Sequence, residues 1–463
     1  RPCMDSDTIA AIATAAGEAA LGIVRVSGPR ALAVAGAVFQ GAAGCPLADA
    51  PSHTVQYGWV VDLATREPVD EVLATVMRAP RSYTREDVVE FSGHGGAVAV
   101  RRVLDAVLAA GARPAEPGEF TKRAFLSGRL DLAQAEAVLQ LIRATHDAAH
   151  TATLEQLRGG LSAAIRRLRE RLLAVQAHLE VSVDFPGEEH ATWSSASVDE
   201  QLRDVAQGVD GLLAAAARAR PRVHGAVTVI CGRPNVGKSM LFNAMLRRDR
   251  AIVHPRPGTT RDTIEELVVL DGMPLRLVDT AGLTDTADPV EQAGVSRSHD
   301  ALAAADIALW VVDRSAPLTP QDAAVAVRLR GRRVLVALNK VDLPPQAAEA
   351  EIRAAAPAAP VVPVAARSGL GVPELETQLV ALLRPTVPSE PEGPWVTSAR
   401  HDAALRRTAE ALARARAAAG GGLSPEFVAV EVREALDQLG GITGESVSDE
   451  LLAEIFSKFC IGK

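Results

Sequence analysis

"VTVICGRPNVGKSM" (227–240) reads as an apolar strand, a glycine-bracketed turn and the first turn of a helix. Gly232 and Gly237 enclose four residues, and Lys238 and Ser239 follow directly. Glycines at these places let the backbone curl until its N–H groups converge on an anion at a helix N-terminus. Lys238 then neutralises β- and γ-phosphate charge, and the Ser239 hydroxyl is a Mg²⁺ ligand. A chance glycine-rich turn lacks the strand before it and the helix after it. Asn235, Val236, Gly237, Lys238, Ser239 and Met240 are therefore the expected phosphate cradle.

Three further motifs follow in an order that fits the same site. "GTTRD" (258–262) offers Thr260 as a second Mg²⁺ ligand beside the γ-phosphate. "LRLVDTAGL" (275–283) ends an apolar strand on Asp279, near the metal. It then runs through Thr280 and Ala281 to Gly282, whose N–H faces the γ-phosphate. "VLVALNKVD" (334–342) ends a strand on Asn339, Lys340 and, two residues on, Asp342. A carboxylate at Asp342 accepts from guanine N1–H and N2–H₂, a pair that adenine lacks. Two bonds to a charged group at about 1.5–3 kcal/mol each give roughly 10²–10⁴-fold preference for GTP over ATP. The ordered set predicts a GTP-hydrolysing domain with strands alternating with helices over 222–384.

Two details bear on catalysis. Leu283 stands where small Ras-type GTPases carry a water-orienting Gln, and an apolar side chain orients no water. Glu291, in "TDTADPVEQAG", is the candidate substitute, set against the plainer reading of a solvated loop carboxylate. Asn235 is either a turn-forming residue or, through its amide oxygen, a ligand for a monovalent cation beside the phosphates.

Around this domain the pattern changes. Residues 4–122 alternate short Val/Ile/Leu runs with Gly/Pro turns. "GIVRVSG" (22–28) and "DVVEFSG" (87–93) read as strands, and 101–111 as a helix stopped by glycine. This is a small α+β domain. "LDLAQAEAVLQLIRATHDAAH" (130–150) opens a long helical stretch, 123–221, with apolar residues at three- and four-residue spacing. After a Pro/Glu-rich linker, "TVPSEPEGP" (386–394), helices resume at 401–418, 425–439 and 449–459, within a second helical segment, 385–463. Ser424 and Ser448 are the expected N-caps. The GTPase domain thus interrupts a helical domain.

The bulk numbers set bounds. The 463 residues suffice for roughly two to four domains. Aromatics are only 3%, so the cores rest on Ala, Val and Leu. A net charge of −8, from 57 acidic and 49 basic residues, argues against a general polyanion binder but not against a local basic patch. Cys3, Cys45, Cys231 and Cys460 form no CxxC pair, which fits a reducing cytoplasm. No apolar run approaches the roughly 18 residues of a membrane span, and no signal peptide is expected, since the N-terminus carries Asp5 and Asp7 and no long apolar core.

The phosphate loop, "GTTRD", "DTAGL" and "NKVD" together resemble the Era-like GTPases. The flanks narrow the resemblance. "DTIAAIAT" (7–14), "SYTREDVVEFSGHGG" (82–96), "RPAEPGEFTKRAFLSGRLDLAQAEAV" (113–138), "VDFPGEE" (183–189) and "ITGESVSDELLAEIFSKFCIGK" (442–463) are similar to the MnmE (TrmE) family of tRNA-modification GTPases, over nearly the whole chain. The resemblance implies an N-terminal α+β folate-binding and dimerisation domain, a discontinuous helical domain and an inserted Ras-like P-loop GTPase domain with a mainly parallel sheet.

The resemblance also implies a chemistry. The folate, a 5-formyl- or methylene-tetrahydrofolate, would meet Arg25, Glu90, Arg129 and the terminal Lys463. A homodimer would act with the flavin-dependent partner MnmG on the wobble uridine of certain tRNAs, adding an aminomethyl or carboxymethylaminomethyl group at carbon 5. GTP hydrolysis would use Mg²⁺ and, between facing GTPase domains, K⁺. Asn235 matches the K⁺ ligand, and "VHPRPGT" (253–259), with His254, Arg256 and Thr259, matches the loop that caps the ion. Glu291 matches the water-orienting glutamate, which favours that reading over the solvated loop. The guanine motif departs from the family's Ser-Ala-Lys or Ser-Ala-Arg: it reads Ala365, Ala366, Arg367, keeping the backbone N–H groups and losing the Ser hydroxyl.

The alternative is an Era-like ribosome-assembly or RNA-binding GTPase without modification chemistry, but no RNA-binding module follows the GTPase domain. "RRLRERL" (166–172) reads as a solvated helix face rather than a tRNA patch, and His94 as a turn residue or a catalytic one. "FCIGK" (459–463) has the spacing of a lipidation box, yet Lys463 is an unusual last residue for prenylation and no second membrane signal accompanies it. Cys460 is left as nucleophile, acid or structural thiol near the reacting centre.

Overall fold

Val, Ile and Ala alternating with turn residues build a seven-stranded sheet at the start of the chain. This computed structural model describes residues 7–184, 194–246, 265–279, 301–303, 305–347, 349–383 and 394–463. The strands are β1 (Ile9–Ile12), β2 (Ala19–Ser27), β3 (Phe39–Gly41), β4 (Thr54–Val61), β5 (Pro68–Met77), β6 (Val88–Gly95) and β7 (Arg113–Pro114). Their order is β3-β4-β5-β6-β2-β1-β7, and the pairing is antiparallel except between β1 and β7. The strands expected at 22–28 and 87–93 are β2 and β6.

Alternation sorts the side chains to two faces. Val24, Val26, Val89 and Phe91 face the helices Ala31–Val38 and Ala97–Ala109, where Val34, Val38, Val103 and Val107 complete the core. The second helix begins four residues before the expected 101, because the extended Gly96 ends the strand and Val100 is needed in the core. On the other face Ile9 and Ala11 pack against Phe120 of the helix Glu119–Leu126 and against Tyr83. That face carries the Arg25–Glu90 pair, which sits opposite in register, and continues to Leu73 and Tyr57. Val55, Tyr57 and Trp59 of β4 and Leu73 of β5 are 56%, 50%, 40% and 47% exposed, an apolar strip with no covering element among the described residues.

A buried charge cluster closes the edge of this sheet. Arg123 Nη2 donates to Asp7 (2.7 Å) and Glu119 (2.9 Å), and its Nη1 to Glu86 (3.1 Å). Arg113 also pairs with Glu119 at 2.6 Å. Burial alone pushes the Glu119 carboxyl up, but the guanidiniums of Arg113 and Arg123 hold it below the usual range. Ser27 Oγ donates to Glu86 (2.7 Å) and shares a hydrogen with Thr84 (2.7 Å), so the turn bearing Tyr83 is tied at both sides.

The described residues group into two compact units. One holds the chain up to Gln140, Leu157–Glu170 and Arg433–Lys463; the other holds Leu141–Gln156 and Arg171–Val432. In the first, the C-terminal helix Asp449–Ser457 packs Leu452, Ile455 and Phe456 on Ala124, Leu132 and Ala135. Ser448 caps it, accepting from Leu451 N at 3.3 Å, as its position before Asp449 predicts. The helices expected at 401–418 and 425–439 run Ala399–Gly420 and Pro425–Thr443.

The second unit contains the mainly parallel sheet. Strands β8 (Ala226–Cys231), β9 (Glu265–Leu270), β10 (Met273–Asp279), β11 (Ile307–Asp313), β12 (Val334–Asn339) and β13 (Val361–Pro363) lie in the order β13-β12-β11-β8-β10-β9. Only β9 pairs antiparallel. Every residue of β8, β11 and β12 is buried, the near-continuous apolar signature of strands covered on both faces. This is the Ras-like P-loop arrangement, inserted between the helices Ser195–His224 and Ala399–Gly420. Those helices pack on one another, and each buries an apolar stripe, Leu202, Val205, Val209 and Leu212 on the first and Leu405, Leu412 and Ala415 on the second. Arg416 pairs with Asp199 at 2.8 Å across them.

Candidate functional site

The phosphate loop leaves β8 and enters the helix Lys238–Leu246. Gly232 has φ +150 and Gly237 φ +100, and a Cβ at Gly237 would lie 2.3 Å from the Asn339 amide nitrogen. Only glycine fits that cradle. Asn235, with φ +64, holds the left-handed conformation that Asn tolerates better than most side chains. Lys238 is 5% exposed, and its ammonium donates to the carbonyls of Gly232 and Arg233 at 2.9 Å each. Ser239 and Met240 are exposed at the helix start.

Parallel register brings the other motifs alongside. Asp279, 3% exposed, ends β10 opposite Ile230 of β8. Asn339 ends β12 opposite Asp313 of β11. Its Nδ2 donates to the Val236 carbonyl (2.7 Å) and its Oδ1 accepts from Ala366 N (3.0 Å), so one side chain ties the phosphate loop to the 365–367 turn. Lys340 donates to the Asn235 carbonyl (3.1 Å) and to Asp313 (2.6 Å). Burial raises the Asp313 carboxyl, while Lys340 and Ser315 together hold it below the usual carboxylate range. Asp342 is exposed just beyond. At the turn lacking the usual Ser, Ser368 Oγ donates back to the Ala365 carbonyl at 3.3 Å. A hydroxyl three residues later thus helps close the turn. Asp313 was not singled out from sequence, although it ends its strand as Asp279 does.

Thr259, Thr260, His254, Arg256, Thr280, Ala281, Gly282, Leu283 and Glu291 lie outside the described residues, as does most of the 386–394 linker. Among the described residues no group of three or more His, Cys, Asp or Glu side chains is placed to hold a metal. Ser239 and Asp279 fit Mg²⁺ in the manner of nucleotide sites, where few protein ligands act with phosphate oxygens.

A second cluster lies within the N-terminal unit. Arg25 Nε donates to Glu90 at 2.7 Å, and Nη1 donates to the Gly462 carbonyl at 3.2 Å. Its guanidinium lies 5.6 Å from the Tyr83 ring centre and 5.5 Å from that of Phe120. Arg129 stacks on the same Tyr83 ring at 4.7 Å and donates to the Tyr83 carbonyl at 3.2 Å. Tyr83 lies in the 82–96 stretch, yet no local signal there marks it as a ring shared by two arginines.

The tail is seated by glycines. Gly462 has φ +94, and a Cβ there would come 2.3 Å from the Ile12 carbonyl oxygen. Gly118, with φ +69, would clash with Phe456 O at 2.7 Å, and its N–H donates to the Cys460 carbonyl at 3.4 Å. Burial pushes the Lys463 ammonium down, reinforced by Arg25 and opposed by Glu90. Cys460 itself is exposed. The set Arg25, Arg129 and Lys463 against Glu90 is net cationic and floored by aromatic rings, which suits an acidic ligand with a flat ring system.

His94 is 70% exposed and bonds through Nδ1 to the nearly buried Asp70 at 2.7 Å, which pushes its pKa up. Arg166 lies 3.6 Å from Asp131, and Arg169 pairs with Glu445. No helix among the described residues is long and apolar enough to cross a membrane.

Residues 132–460 match the family model of the MnmE helical domain, and residues 8–129 that of the GTP-binding protein TrmE N-terminus. The chain belongs to the MnmE family of tRNA modification GTPases. The tRNA modification GTPase MnmE of Symbiobacterium thermophilum is 49% identical over 461 residues, covering 99% of this chain and 100% of that one. Those of Moorella thermoacetica and Lactiplantibacillus plantarum are 47% and 45% identical, again over 99% of this chain and over 100% and 98% of theirs. The MnmE helical match runs across the inserted GTPase domain, as the interrupted helical pattern requires.

Proposed function

We propose that this protein is a K⁺-stimulated GTPase that acts with MnmG on the wobble uridine of certain tRNAs, adding an aminomethyl or carboxymethylaminomethyl group at carbon 5. A tetrahydrofolate derivative would supply the one-carbon unit. The observation that carries this reading is Arg25, which bonds at once to Glu90 of the N-terminal sheet and to the carbonyl of Gly462 in the terminal motif. A GTPase without modification chemistry gives no reason for a tail docked beside Arg25 and the Tyr83 ring.

In this reading the phosphate-loop N–H groups and Lys238 hold the nucleotide. Lys238 leaves the carbonyls of Gly232 and Arg233 to meet the β- and γ-phosphates. Ser239, Asp279 and Thr260 serve Mg²⁺, with Thr280, Ala281 and Gly282 beside the γ-phosphate. Asp342 reads guanine, with the Ala365, Ala366 and Arg367 turn behind it. Asn235 and the His254, Arg256 and Thr259 loop serve K⁺, whose charge stands in for an arginine finger. Arg25, Glu90, Arg129 and Lys463 grip the folate, and Cys460 lies at the tail's exposed turn.

The exposed strip of Val55, Tyr57, Trp59 and Leu73 supports a homodimer through the N-terminal sheet.

Steady-state GTP hydrolysis in KCl and NaCl of equal ionic strength tests the cation. Faster turnover in K⁺ is expected; equal rates would remove K⁺ from the site. Glu291→Ala is expected to keep GTP binding and to lower kcat by about tenfold or more, because Leu283 leaves no other orienting group in that motif. An unchanged kcat rejects Glu291 as the water-orienting residue.

A further inference from the structure

The phosphate loop is held at three places, and only two of them use the guanine-specificity motif. Lys340 and Asn339 grip the carbonyls of Asn235 and Val236. At the loop's entrance, Arg233 Nε lies 3.2 Å from Asp322 Oδ2, a charge contact rather than a hydrogen bond. Asp322 is 2% exposed, and it belongs to the helix Pro320–Arg328 that follows β11. The same Oδ2 accepts from Thr319 N (2.9 Å) and Thr319 Oγ1 (2.8 Å), closing that helix's capping box. One carboxylate therefore caps a helix and anchors the loop.

We propose that Asp322 is a positioning residue for the guanine nucleotide, acting through Arg233 on the entrance of the phosphate loop. The chain of contact is short. Arg233 lies directly after Gly232, and its carbonyl is one of the two that receive the Lys238 ammonium. Pro234 leaves little freedom between Arg233 and the left-handed Asn235. The position of the Arg233 side chain thus sets where the loop begins to curl. The anchor is ionic: the Arg233 side chain is 18% exposed, and a guanidinium at the surface that loses its carboxylate partner turns toward water. That turn would carry residue 233, and with it the Lys238 resting place and the aim of the loop N–H groups. Asp322 acts through Arg233 and the loop backbone, so its effect falls on binding more than on the chemical step.

The test separates the anchor from the cap. Asp322→Asn keeps an oxygen that can accept from Thr319 and removes the charge facing Arg233. Thr319→Ala weakens the cap and leaves the Arg233–Asp322 pair. In the full-length protein, titration with fluorescent GDP and GTP analogues is expected to give Kd values about tenfold higher for Asp322→Asn, a factor that matches about 1.4 kcal/mol. Its KM for GTP should rise more than its kcat falls, with little change in Tm. Arg233→Gln, which removes the pair from the loop side, should raise Kd by a similar factor. Thr319→Ala should lower Tm by a few degrees, in line with a lost cap, and leave Kd within about twofold. The proposal is overturned if Asp322→Asn and Arg233→Gln bind both nucleotides like the unaltered protein. It is also overturned if Thr319→Ala raises Kd as much as Asp322→Asn does, because the effect is then that of the helix cap alone.

Discussion

Asp342→Asn is expected to weaken GTP binding by roughly 10–10²-fold and to improve the binding of xanthosine triphosphate. In the proposed reading the carboxylate accepts two hydrogen bonds from guanine N1–H and N2–H₂, each worth about 1.5–3 kcal/mol for a charged acceptor. An amide in its place presents an N–H to a donor edge and leaves one pair unmade. Xanthine carries an oxygen where guanine has its amino group, so the same amide finds a partner there. The scaffold should survive the change. Asp342 is exposed, and the strand end behind it is held by Asn339 on Val236 and Ala366 and by the Val341 N–H on the Val364 carbonyl at 3.2 Å. Equilibrium titration with both nucleotides checks this. Unchanged GTP affinity would mean that guanine is read elsewhere.

The second large effect is expected at the other end of the chain. Gly462→Ala should lower tRNA modification by about 100-fold or more while leaving GTP affinity unchanged. Gly462 has φ +94, unfavourable for any other residue, and its new Cβ would lie 2.3 Å from the Ile12 carbonyl oxygen. The tail must move outward. It then loses the bond from Arg25 to the Gly462 carbonyl, and Lys463 leaves its half-buried place beside Arg25 and Glu90. A displacement of about 1 Å at a reacting centre costs on the order of 10²-fold. Reconstituted modification of tRNA, measured beside nucleotide binding, separates this from general unfolding. Normal modification by Gly462→Ala would show that the docked tail is dispensable.

These two sites were legible to different degrees. Gly232, Gly237, Lys238, Asn339 and Asp342 stand in short local motifs whose spacing states their chemistry, and the strand–turn–helix geometry follows directly. The interruption of the helices was legible too, because periodic apolar spacing stops before Ala226 and resumes after the Pro-rich stretch. Arg25, Glu90 and Lys463 came only from resemblance. No local pattern joins residue 25 to residue 463; that contact depends on β2 and β6 pairing in register and on Gly118 and Gly462 admitting the tail. Asp313 and Asp322 had no motif to mark them, and Tyr83, though inside the 82–96 stretch, had no local sign of the arginines it meets. Each acts by gripping a charged side chain from a different strand or helix, and such pairings exist only once the sheet is assembled. The helix start at Ala97 rather than 101 has a similar cause, since the core position of Val100 outweighs the local pattern.

The most direct measurement is nucleoside mass spectrometry of tRNA from a strain lacking this protein. Loss of the aminomethyl-type group from the wobble uridine, restored by the unaltered chain and not by Gly462→Ala, is the predicted result. Intact wobble modification in the deletion strain would contradict the account and leave a GTPase with another task.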